Sequence, residues 1–105
     1  MITKTDDDIE QLLDENTRVI VMFGASWCGP CKTLKPKFQD ISLTNSDIVF
    51  AYCDVDDTHD TAVDLGIQSV PTVVSFFNGI EDETLVGPTA DKVKALVQKL
   101  RDKNS

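Results

Sequence analysis

The sequence predicts an α/β fold in which helices cover both faces of a mixed β-sheet. Two observations carry this reading. Three β-rich apolar runs, at residues 19–23, 48–53 and 72–77, lack a clean alternation with polar residues, so each reads as a strand buried on both faces. Strands of that kind need layers above and below, and the segments around them have the apolar spacing of helices.

Thr5 with Asp8 fits a capping box, and Ile9, Leu12 and Leu13 form the stripe of a first helix. Its positive N-terminal end suits Asp6, Asp7 and Asp8, so this charge run reads as structural. A second helix is expected from near Cys28 through Leu34, Phe38 and Ile41, kinked at Pro36 where a backbone hydrogen bond is lost. A short third helix over residues 59–65 is stopped by Gly66. Asn78-Gly79 signals a hairpin, so residues 83–86 are expected to return as an antiparallel edge strand. The last helix starts near Thr89 and buries Val93, Leu96, Val97 and Leu100, with Lys99, Arg101 and Lys103 at its negative end. The order is α, β, α, β, α, β, β, α, with room for a short strand at residues 2–4 before it.

The chain has 105 residues, 41% hydrophobic and 27% charged, which suits a single domain over 1–105 with one core. A net charge of −8 argues against nucleic acid and against an anionic membrane surface, both of which call for Lys and Arg. The apolar stretches are too short to span a bilayer. The N-terminal residues lack the apolar core of a signal peptide, so a cytoplasmic location is expected. In a reducing compartment three cysteines are not a disulfide scaffold; they are reactive, metal-binding or simply buried.

The segment that carries chemistry is Trp27-Cys28-Gly29-Pro30-Cys31-Lys32, between a buried strand and a helix. Residues three apart at a helix start face one side, so the two sulfurs can meet. The unpaired N–H groups and partial positive charge of the helix N-terminus favour a thiolate on Cys28. Pro30 suits the first turn, where its missing N–H is no loss, and Gly29 keeps the approach to Cys28 open. Cys28 is therefore expected to be the nucleophile that forms a mixed disulfide, and Cys31 the resolving thiol.

The other chemistry-bearing residues read more plainly. Cys53, inside a strand-like run, is a small buried apolar residue. His59 opens a short helix, exposed and without special duty. Cys28, Cys31, Cys53 and His59 could nominally hold zinc, but the second pair sits partly within a strand and Gly-Pro between the first two fits redox use better. Residues 54–60 fail the calcium-loop pattern, having Leu65 where its twelfth-position Glu belongs. No metal and no cofactor are expected.

Taken together, W-C-G-P-C-K, the lead-in Phe23, Ala25 and Trp27, Val70-Pro71-Thr72, Phe76 with Asn78-Gly79, and Val86-Gly87 resemble the thioredoxin family in order and spacing, over nearly the whole chain. The C-x-x-C at such a junction is itself a known sequence signature of that family. The resemblance implies a central mixed sheet flanked by four helices, with the dithiol at its tip. It implies a cis Pro71 beside the dithiol and a backbone at Val70 that pairs with a substrate strand. It also implies an apolar docking surface from Trp27, Gly29, Pro30, Val70, Pro71 and Gly87, a monomer, and electrons from a thioredoxin reductase for reducing protein disulfides. The alternative is a binding module or subunit of the same fold, in which turnover is secondary.

The sequence departs from the family at three positions. A buried Asp usually lies six residues before the first cysteine; here Met22 stands there. The Lys that many bacterial members place near that Asp corresponds to Tyr52, and position 24, aromatic in some members, is Gly24. The expected consequences are a stronger core, a Cys31 without its nearby base and slower resolution at neutral pH. Gly24 is expected to leave the floor of the site looser.

Overall fold

The computed structural model describes residues 2–3, for their backbone, and 6–104. Five strands form one mixed sheet in the order β1-β3-β2-β4-β5: β1 (Ile2–Thr3), β2 (Arg18–Gly24), β3 (Val49–Asp54), β4 (Thr72–Phe77) and β5 (Ile80–Val86). β3 runs parallel to both β1 and β2, whereas β4 is antiparallel to β2 and to β5. Four helices flank it: α1 (Asp6–Glu15), α2 (Gly29–Leu43), α3 (His59–Asp64) and α4 (Ala90–Arg101).

The continuous apolar runs are buried for the expected reason. Every residue of β2 after Arg18 is buried, and the two faces of the sheet feed separate cores. On one face Ile20, Met22, Tyr52 and Val73 meet Leu34 and Phe38 of α2 and Val93, Leu96 and Leu100 of α4. There the Phe38 and Phe50 rings pack edge to face, 5.5 Å between centroids. On the other face Val19, Val21, Phe23, Cys53 and Val74 meet Ile9 and Leu12 of α1.

Helix ends follow the sequence signals. Thr89 caps α4, accepting from the Lys92 N–H, and Gly66 ends the α3 region at φ +70°. Pro36 lies inside α2, which continues to Leu43. Arg18 Nε donates to the Leu100 carbonyl at 3.0 Å and Arg18 Nη2 to that of Lys103, satisfying carbonyls at the end of α4.

Two expectations change. The hairpin strand begins at Ile80 rather than at residue 83, because Asn78 (φ 53°) and Gly79 (φ 79°) reverse the chain within two residues and Phe77 pairs at once with Ile80. A register shift at Ser75/Phe76 then lets the buried Ser75 hydroxyl accept from the Glu83 N–H and donate to Asp82. The capping-box residue Thr5 and the end of the first strand at residue 4 lie outside the described residues.

The second change concerns Asp6, which does more than offset a helix dipole. Thr58, the N-cap residue of α3, makes no side-chain cap, and Asp6 supplies it from another element: the Thr61 N–H and hydroxyl donate to its carboxylate at 2.9 and 2.6 Å. These hydrogen bonds hold the Asp6 carboxyl below the usual carboxylate range. An acid lowered on folding contributes stability above its unfolded value and loses it as pH falls through its folded value. Asp6→Ala is therefore expected to cost about 1 kcal/mol in urea unfolding at pH 7. The difference should narrow as pH falls below the usual carboxylate range and through the lowered folded value; a difference that never narrows in acid would assign the loss to something other than the charged cap.

Candidate active site

The site forms where β2 and β3 end. The Gly24 carbonyl accepts from the Val55 N–H at 2.9 Å, which joins the two strand exits. The chain then turns, with the Cys28 N–H donating to Ala25, and enters α2. Cys28 is the N-cap residue, in extended conformation, and its Sγ accepts from the Cys31 N–H at 3.2 Å. A sulfur thus stands where Ser or Asp usually caps a helix, held by an N–H the helix leaves unpaired. Pro30 falls in the first turn, as its missing donor allows.

The two sulfurs are joined in a disulfide, with Cα atoms 5.3 Å apart. Both residues are nearly enclosed, at 5% exposure for Cys28 and 2% for Cys31. The Val70–Pro71 bond is cis, and the Val70 carbonyl oxygen lies 3.7 Å from Cys28 Sγ, within reach of a reduced thiol as donor. The Pro71 carbonyl accepts from the Gly87 N–H at 2.8 Å, bringing that loop beside the dithiol. Gly87 has φ +60°, a conformation that favours glycine.

All eight residues singled out in the sequence thus lie around one spot. Trp27 stands out at 68% exposure, a large apolar surface next to a disulfide. Two clefts flank the cis proline. One is lined by Trp27, Val55, His59, Val63, Ile67 and Val70. The other is lined by Pro30, Leu34, Lys37, Pro71, Gly87 and Pro88. Val55, Val63, Ile67, Lys37 and Pro88 were not anticipated, because an apolar residue on a loop or helix reads as core, and a helical lysine as solvated surface, until its neighbours are known. His59 is exposed as expected, but it also borders the Trp27 cleft.

Beneath the dithiol, Met22 is fully buried in the cluster that contains both cysteines. The floor is not loose, contrary to expectation. The Tyr52 ring fills the space over Gly24, where a Cβ would meet its hydroxyl oxygen at 2.8 Å and its ring carbon Cε2 at 2.9 Å. Glycine at 24 is what lets a tyrosine at 52 pack inward. Burial, then the charges of Asp54 and Cys53, push the Tyr52 hydroxyl above its usual value, so it stays neutral and polar. The Lys35 ammonium lies 3.9 Å from the centroid of the same ring.

Cys53 is fully buried on the opposite side of the sheet from the dithiol, among Phe23, Ala51 and Val74. Among the described residues, no three His, Cys, Asp or Glu side chains gather in a way that could hold a metal ion. Nor is any helix among them long and apolar enough to cross a membrane.

Chemically, a sulfur at a helix N-terminus, paired with a second sulfur one turn on, can exchange one disulfide for another. Comparison with known proteins agrees. The family model Thioredoxin matches residues 1–102. Thioredoxin-1 of Schizosaccharomyces pombe is 34% identical over 100 residues, covering 93% of this chain and 97% of that protein. Thioredoxin of Mycoplasma genitalium is 42% identical over 79 residues, 75% of this chain and 78% of that protein. The crystal structure of reduced Schistosoma mansoni thioredoxin pre-protein superposes with a TM-score of 0.89 at 37% identity, covering 94% and 96% of the two chains. With its motif, its fold and its relatives in agreement, this chain belongs to the thioredoxin family and is a thiol–disulfide oxidoreductase that reduces protein disulfides.

Proposed function

We propose that Cys28 is the attacking thiol and Cys31 the resolving thiol of a single-domain electron carrier. The observation that carries this is the N-cap position of the Cys28 sulfur, which accepts an N–H that stabilises a thiolate. The Cys28 thiolate attacks one sulfur of a substrate disulfide and expels the other as a thiolate, leaving a Cys28–substrate disulfide. The Cys31 thiolate then attacks Cys28 Sγ, the Cys28–Cys31 disulfide forms, and the second substrate thiolate leaves. Two electrons and two protons return the pair to the dithiol, supplied by a thioredoxin reductase.

The substrate docks as an extended strand on the Val70 backbone, with Trp27, Gly29, Pro30, Pro71 and Gly87 as its apolar bed. Their clustering beside Cys28 supports this mode of binding, which takes main-chain affinity and side-chain pockets together. The protein works as a monomer in the cytoplasm; the family's habit supports this reading.

Cys31→Ser is the direct test. Incubated reduced with a disulfide substrate, it is expected to accumulate a mixed disulfide through Cys28, seen by mass spectrometry and released by dithiothreitol. Failure to trap any adduct would overturn the assignment of roles. In the cell, full biological function from a Cys28→Ser, Cys31→Ser double variant would instead favour a binding module.

A further inference from the structure

We propose that Lys35, pinned over the Tyr52 ring, is a positioning residue whose ammonium favours the Cys31 thiolate in place of a buried acid. This rests on the resolving role proposed for Cys31. Three observations converge on it. Lys35 follows Cys31 by four residues on α2, so the two side chains are neighbours on one helix face. Lysine at such a position is ordinarily free to swing into water, but here its Nζ lies 3.9 Å from the Tyr52 ring centroid. Tyr52 is in turn fixed: it is 6% exposed, belongs to the same buried cluster as Cys31, and fits only because residue 24 has no side chain. Gly24, Tyr52 and Lys35 thus form one unit that holds a cation at the edge of the dithiol's apolar bed.

The groups around Cys31 set the direction of the effect. α2 contributes Cys28 at its N-cap, the exposed Lys32 next to Cys31 in sequence, and the Lys35 cation; β3 contributes the neutral Tyr52, with the Asp54 carboxylate acting on that ring from the strand end. β2 and β4 contribute the apolar Met22 and Val73. Burial disfavours a Cys31 thiolate; Lys32 is exposed and screened by water, whereas Lys35, held against the buried Tyr52 ring, is the cation placed to oppose that penalty.

The test reads Cys31 without turnover. In a Cys28→Ser background, the rate of Cys31 alkylation by iodoacetamide is followed across pH 6 to 10 by peptide mapping, which separates Cys53. Adding Lys35→Met is expected to slow alkylation about threefold near pH 7.5, the deficit closing as pH rises and the thiol ionises regardless. Lys35→Arg keeps both cation and ring contact and should restore the parent profile. Tyr52→Phe keeps the ring and should also match the parent, whereas Tyr52→Leu should behave like Lys35→Met. An unchanged profile in Lys35→Met overturns the proposal, as does Tyr52→Phe behaving like Tyr52→Leu, since the hydroxyl would then be the active group. Circular dichroism on each variant excludes unfolding as the cause. Because no substrate or reductase takes part, a failure of insulin reduction would count against the proposed function and leave this result standing.

Discussion

Cys28→Ser is expected to reduce NADPH-coupled insulin reduction to background, a loss of at least about a thousandfold. The serine hydroxyl is nearly the same size but does not ionise near neutrality, so no attack on the substrate disulfide begins. What makes this variant informative is its position. Cys28 caps α2 through its sulfur, and serine is among the best residues at an N-cap. The reduced variant should therefore be as stable as the reduced parent, and its inactivity cannot be laid to unfolding. Cys28→Ala, by contrast, should lose both activity and about 1 kcal/mol of cap. Measurable turnover in Cys28→Ser would place the attacking sulfur elsewhere.

Met22→Asp is expected to lower stability by roughly 3–4 kcal/mol at pH 8 and to speed insulin reduction severalfold at pH 7. Met22 has no exposed surface and lies in the cluster with Cys28, Cys31 and Tyr52, so an aspartate there loses packing and is denied water. Burial raises its folded pKa above the unfolded one. The charge penalty is then absent below the unfolded value, grows as pH rises between the two, and is complete above the folded value. Urea unfolding of variant and parent at pH 4 and pH 8 separates this from simple cavity formation, which is independent of pH. The rate gain comes from a base near the resolving thiol. Faster turnover in the parent than in Met22→Asp would show that the apolar site carries no kinetic handicap.

The contrast between Met22 and Tyr52 shows where sequence reading stops. Met22 could be named as a departure from the family by counting back from Cys28, and its burial followed from its place in an apolar strand. The packing of Tyr52 over Gly24 could not, because it depends on the register of two strands distant in sequence: Met22 pairs with Tyr52 and Gly24 with Asp54. Read singly, Gly24 suggests a gap; paired with Tyr52, it is the space a ring requires. Asp6 teaches the same lesson, since its spacing explains a helix start and says nothing of Thr61, 55 residues away.

By itself the sequence determined the element order, the strands buried on both faces, the hairpin at Asn78-Gly79 and the placing of Cys28 at a helix N-terminus. These depend on side-chain periodicity and local backbone preference, which act over a few residues. The family resemblance named Val70, Pro71 and Gly87 beside that sulfur, but only the tertiary structure shows the contacts that bring them there and adds Val55, Val63, Ile67, Lys37 and Pro88 around them. The Val70 carbonyl is 42 residues from Cys28, and Gly87 reaches the site through a hydrogen bond to Pro71. Contacts of that range arise when two cores close on both faces of one sheet, and no local pattern encodes which loops the closure brings together.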